Sequence, residues 1–207
     1  MKLALTFDGC EPELTIKLLG LLNQHKAKGS FFVLGSYIKQ AEDVIKCLQR
    51  GGHLIGGNHY DYLDSTLLDF SEFIEQVHRC TEALKAVTGQ MVNYYRPPFG
   101  SICNEQCAYL IDYGLTPIFW NVDSTDSSTE SAKVENIVGR IMTNVTANSV
   151  IRCHLDGNEK SNSILRALKI VIPMLQQCGY EFVTLNEINS HKANQLNGFS
   201  RQAIFEV

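Results

Sequence analysis

The 207-residue sequence predicts an α/β fold, a distorted or incomplete (β/α) barrel of about seven strand–helix units. Two observations lead there. Short β-rich runs alternate with amphipathic helical stripes along the chain, which implies a parallel sheet with covered faces. The polar residues suited to chemistry, Asp8, Asn58-His59, Arg96, Asp123 and His154, each fall just after a strand-like run. Chemistry contributed by many strand ends in turn is a barrel arrangement, whereas an open sheet concentrates its contacts at one switch point, usually with a Gly-rich loop. The sequence has neither a GxGxxG nor a Walker-type loop.

Element by element, strands are expected at Lys2–Phe7, Ser30–Leu34, His53–Gly57, Val92–Tyr95, Pro117–Trp120, Val150–Cys153 and Glu181–Thr184. Between them the apolar spacing becomes helical. Leu14, Leu18, Leu21 and Leu22 make a first stripe, before a turn at Lys28-Gly29. Ile38, Ala41, Val44, Ile45 and Leu48 make a second, ended by Gly51-Gly52 as a helix stop. Phe73, Val77, Cys80, Leu84 and Val87 form a third, ending before Gly89. Ile164, Leu168, Val171 and Leu175 form a late one that contains Pro173, where a kink is expected. These stripes are core faces and carry no functional message by themselves.

Composition narrows the function. At 44% hydrophobic and 19% charged residues, with a formal net charge of −4 and scattered basic residues, the chain suits a globular enzyme or binding domain rather than a nucleic-acid binder. No apolar run approaches the roughly 18 residues that a membrane span needs. Met1 to Phe7 reads as a strand and not as a leader, so the chain is expected in the cytoplasm as written, or outside the cell if a leader has been removed. Seven cysteines, an odd count without regular spacing, argue against a disulfide framework. Cys103 and Cys107 would share one helix face and read as packing residues. The Asn144-Val145-Thr146 triplet is a glycosylation sequon of a kind that also arises by chance.

Taken singly, none of the polar residues is decisive: a lone His after a strand is usually structural, and Arg-Pro-Pro is usually a rigid turn. Their order is more informative. Leu3-Ala4-Leu5-Thr6-Phe7-Asp8, Lys28 to Gly35, Gly52-His53 through Asn58-His59, Arg96-Pro97-Pro98-Phe99-Gly100, Trp120-Asn121-Val122-Asp123 and Gly179 to Leu185 follow one another in series. This series resembles the NodB, or polysaccharide deacetylase, family (carbohydrate esterase family 4-like). That family carries TFDDGP, K-A-T-F-F-V-L-G, G-N-H-T-x-S-H, RPPYG, W-x-x-D-x-x-D-W, L-L-H-D and a closing G-Y-x-F-V-T-L. The resemblance covers residues 1–188, expected as a single domain, and leaves 189–207 as a C-terminal extension.

The resemblance implies hydrolysis of N-acetyl groups from amino sugars of chitin-like or peptidoglycan-like chains, a carbon–nitrogen amide cleavage. In the family a divalent metal, zinc or similar, held by Asp-His-His, polarises the acetamide and acidifies a water. An Asp takes the water's proton and a His protonates the departing amine. By position, Asp8 corresponds to the base and Arg96 to the arginine that keeps it ionised. His154 corresponds to the general acid and Asp126 to its tether, with Asp123 the first aspartate of that motif.

The departures fall on the metal ligands, which gives the expectation of a degenerate metal site. The second aspartate of TFDDGP becomes Gly9, and Leu63 stands where the second histidine belongs. Ser127 replaces the aromatic residue after Asp126, and Arg152 interrupts the apolar run before His154. Of three expected ligands His59 remains, whereas catalytic zinc normally takes three protein ligands. Asp61, Asp64, Glu11, Cys10 or Asp8 itself could rebuild the site. Three readings stay open: a deacetylase with an altered ligand set, a non-catalytic member that binds a glycan or protein through the former groove, and hydrolysis of a different C–N amide.

Overall fold

A computed structural model of the protein describes residues 1–127, 132–155, 157 and 161–188. The extension expected at 189–207 lies outside the described residues. The strands are β1 (Lys2–Asp8), β2 (Gly29–Val33), β3 (Leu54–Gly57), β4 (Tyr94–Tyr95), β5 (Thr116–Pro117), β6 (Val122–Asp123), β7 (Val150–His154) and β8 (Glu181–Phe182). Among the described residues six α-helices join them: α1 (Pro12–Gln24), α2 (Ile38–Arg50), α3 (Phe70–Thr88), α4 (Asn104–Asp112), α5 (Val134–Asn144) and α6 (Ser161–Gln177).

Every strand pairing is parallel, in the order β5-β4-β3-β2-β1-β7-β6, with β8 added beside the start of β1. The result is a curled, incomplete barrel whose strands all end on one face. Strand β1 is its centre. Residues Leu3 to Asp8 are buried without alternation, because a central parallel strand is covered on both sides. Its ladder with β7 sets Asp8 level with His154, and its ladder with β2 sets Asp8 level with Phe32.

The helices form where their stripes find this sheet. Leu14, Leu18, Leu21 and Leu22 of α1 are buried, as are Ile38, Ala41, Val44, Ile45 and Leu48 of α2. A fully buried Leu or Ile contributes roughly 1.5–3 kcal/mol. Helix α1 starts on Glu11, whose carboxylate accepts from Glu13 and Leu14 N–H, with Pro12 in the first turn. Helix α3 starts on an Asp69–Glu72 capping box and stops at Gly89, in the left-handed conformation at φ 73°. Pro173 lies inside α6.

Two glycines let the sheet close tightly beside the site. A Cβ on Gly56 would sit 2.8 Å from the Phe32 ring, and one on Gly57 would sit 2.9 Å from the Tyr95 ring. Both rings are fully buried, so a larger residue in β3 would push strands apart just where β4 must deliver Arg96.

Candidate active site

The C-terminal ends of β1, β4, β6 and β7 converge on one groove. Asp8 ends β1, Arg96 follows β4, Asp123 ends β6 and His154 ends β7. The groove is a cavity of about 480 Å³ walled by Asp8, Arg152 and His154 on one side and by Asn58, Tyr62 and Phe99 among its other walls.

Asp8 is buried and held at both oxygens. Arg96 Nη1 donates to Oδ1 at 2.8 Å, and Arg152 Nε donates to Oδ2 at 2.8 Å. Burial alone would raise the Asp8 pKa, but the two guanidinium groups and His154 outweigh it and hold the carboxyl below its usual range. Arg96 is 0% exposed, its guanidinium 4.2 Å from the Phe32 ring centroid and its Nε donating to the Ile118 carbonyl. Arg152 also donates from Nη1 to Asp123 at 3.3 Å and lies 4.0 Å from the Trp120 ring centroid. A guanidinium is planar and permanently charged, so it can stack on a ring while bridging two carboxylates.

Beside this cluster stands the second pair. His154 Nδ1 lies 2.7 Å from Asp126 Oδ1, and the His154 backbone N–H donates to Asp126 Oδ2 at 2.8 Å. Ser124 Oγ donates to the same Asp126 carboxylate, fixing its plane. Burial would lower the His154 pKa, but the Asp126 hydrogen bond and charge outweigh it and raise the value. The arrangement therefore offers a groove with a histidine whose charged form is favoured on one side and an arginine-locked carboxylate on the other. The five residues expected to act together, Asp8, Arg96, Asp123, Asp126 and His154, are brought into this one region.

The expected metal positions behave differently. Gly9 contributes no donor and adopts φ 87°, a conformation that favours glycine. Leu63 is 42% exposed. His59 follows β3 at φ 52°, and its ring is fully buried between Phe73 and Tyr95. Its Nε2 lies 3.2 Å from Ser65 Oγ, while Nδ1 is enclosed without a hydrogen-bond partner, and burial lowers its pKa to about 4. It is Asn58 that reaches the groove wall, with its Oδ1 buried and unpartnered.

The substitutes considered from sequence are each engaged in the fold. Glu11 caps α1, Asp64 accepts from Thr66 N–H and Oγ1, and Asp61 accepts from Gln76 Nε2. Cys10 is buried with its thiol pushed up to about 12 by burial. Among the described residues no group of three or more His, Cys, Asp or Glu side chains is arranged around a common point. This donor set, as it stands, does not fit a catalytic divalent ion.

Sequence reasoning missed Arg152 as a member of the site. The signal was available: residues 152 and 154 alternate on β7 and so face the same way. Asn58 and Phe99 lay inside segments the sequence singled out, next to His59 and Arg96, whereas Tyr62 had no such signal because the course of its loop places it.

Comparison with known proteins shows what the whole chain resembles. The polysaccharide deacetylase family profile matches residues 1–118. A peptidoglycan-N-acetylglucosamine deacetylase of Bacillus cereus is 31% identical over 185 residues, covering 89% of this chain, which spans 66% of that protein's length. A chitooligosaccharide deacetylase of Azorhizobium caulinodans is 28% identical over 189 residues, covering 85% of this chain and 89% of its own. A solved peptidoglycan N-acetylglucosamine deacetylase, in complex with 4-naphthalen-1-yl-N-oxidanyl-benzamide, superposes with a TM-score of 0.86 at 28% identity, over 90% of this chain and 87% of that one. With this profile match, these relatives and the same incomplete barrel, the chain belongs to the polysaccharide deacetylase family.

Proposed function

We propose that this deacetylase-like protein takes an N-acetylated amino-sugar oligomer in the groove beside Asp8 and His154, and that hydrolysis of the N-acetyl group is the reaction for which the groove is arranged. The observation that carries this reading is the Asp126–His154 pair, a histidine held in one orientation by a carboxylate, standing beside Asp8. The family generally uses a divalent metal. Because the donor set does not fit one, the chemistry is assigned to the chain's own residues.

In this reading a water enters the groove and gives its proton to Asp8 as it attacks the acetamide carbonyl. The C–N bond breaks, His154 gives its Nε2 proton to the leaving amine, and acetate and the free amino sugar depart. Asp126 keeps the histidine cationic until that step. Locked by two arginines, Asp8 is a weak base, so turnover is slow.

The same lock favours a second reading, in which the groove binds the glycan without turnover. Acetate release from tri-N-acetylchitotriose, measured with wild type and His154→Ala, separates the two. Release that falls about a hundredfold or more in the variant supports hydrolysis, from general-acid magnitudes. Binding without acetate supports the second reading, and absence of both binding and release contradicts the assignment of this groove.

A further inference from the structure

We propose that Arg152 stands in for the divalent metal as the resident cation of the groove, and that its guanidinium binds the acetamide carbonyl oxygen of the glycan without metal. The inference rests on the reading of the groove as an N-acetyl-glycan site and names the group that recognises the acetyl.

Position comes first. Arg152 is two residues before His154 on β7, so its side chain leaves the strand on the same face and forms a wall of the groove together with Asp8 and His154. It is fixed there by Nε on Asp8 at 2.8 Å, Nη1 on Asp123 at 3.3 Å and the Trp120 ring. A long side chain tied at three points loses little further freedom when a ligand arrives.

Charge comes second. A dication held through one aspartate carries a net single positive charge. Gly9 removes that aspartate, and Arg152, where the family has an apolar residue, brings a single positive charge to the other oxygen of Asp8. The two departures from the family pattern compensate each other. Three carboxylates, Asp8, Asp123 and Asp126, are then paired within one network with Arg96, Arg152 and the His154 ring.

Chemistry comes third. The metal's task toward the substrate is to polarise a carbonyl oxygen, and a guanidinium N–H is the protein donor best suited to the same oxygen. Arg96 cannot serve, since it is fully buried behind Asp8. A guanidinium does not acidify water, which leaves recognition as the function of Arg152.

Calorimetry with tri-N-acetylchitotriose and with chitotriose, which lacks the acetyl groups, tests this. Wild type is expected to bind the acetylated sugar equally well in EDTA and with added zinc, and to prefer it over chitotriose. Arg152→Leu is expected to weaken that binding about tenfold or more, the value of one charge-assisted hydrogen bond, and to abolish the preference. Thermal melts establish that the variant folds. Arg152→Gln, which keeps a long polar side chain and removes the charge, gives the same reading if the leucine variant does not fold. Zinc-dependent binding, or an unchanged preference in both variants, overturns the role of Arg152 and leaves the glycan reading intact. Failure of wild type to bind either sugar, in EDTA or zinc, removes the glycan reading and this inference with it.

Discussion

The two sides of the groove are held together differently. On the side of β1, β4 and β7, Asp8, Arg96 and His154 stand at or just after strand ends, Asp126 lies in the loop after β6, and every one is paired at 2.7–2.8 Å. On the side of the β3–α3 connection and the residue after Asp8, the corresponding positions hold Gly9, an exposed Leu63 and an inward-facing His59. The difference teaches that proton-handling groups can persist as a self-consistent ion network. His59 has no ion partner of that kind: Ser65 and the Phe73 and Tyr95 rings hold it in the core.

That contrast can be broken most forcefully at Arg96. Arg96→Met leaves Asp8 buried with Arg152 as its remaining guanidinium and should cost about 3–5 kcal/mol of stability in urea denaturation, the usual loss when half of a buried pair is removed. A cost under about 1 kcal/mol would show the network to be ornamental.

The next test uses pH, where the two histidines should act with opposite sign. His59 has a folded value near 4, below the unfolded value of about 6.5, so the unfolded chain binds more protons between them. Its contribution is present above pH 6.5 and is lost as pH falls toward 4, about 3 kcal/mol in all. His53, also near 4, adds a loss of the same sign, so the measurement is the difference between wild type and His59→Gln, in which the His59 share of the slope should vanish. His154 is raised, so its contribution is present below about pH 6.5 and is lost as pH rises through its folded value. Asp126→Asn should lower the His154 pKa in an NMR titration and cost about 1.5–3 kcal/mol below pH 6.5, the range for hydrogen bonds to charged groups.

The smallest effect belongs to the lost side. Leu63→Ala changes an exposed position and should shift stability by no more than about 0.5 kcal/mol. A larger change would mean that Leu63 has acquired a packing role.

How much of this was legible depends on whether a feature is written locally. Strands β1 and β2 and helices α1, α2 and α3 are long and strongly patterned, and they form within a residue or a few of their expected bounds. Strand β6 has two residues and exists through its pairing with β7, Val122 beside Ile151, which no local pattern announces. Helices α4 and α5 were not expected as elements: α4 begins at Cys103, without the usual Ser, Thr, Asp or Asn cap, and α5 buries just Ile137 and Ile141. Among site residues, Asp8, Arg96 and His154 were readable because motif order fixes which strand end each one occupies, and Asp126 because it follows Asp123 in the same motif. The direction of the His59 ring was not, since it depends on a left-handed backbone residue and on a serine six positions away. Arg152 was visible as a departure from an apolar run, and its role emerges once β7 is seen beside β1.

The account's central claim is that the proton-handling side of the groove is assembled while the metal side is not. Zinc titration of the purified wild-type chain, by calorimetry after exhaustive chelation, tests it most directly. The account predicts no stoichiometric zinc binding and no change on His59→Ala. One zinc bound tightly per chain, and lost in His59→Ala, would contradict it.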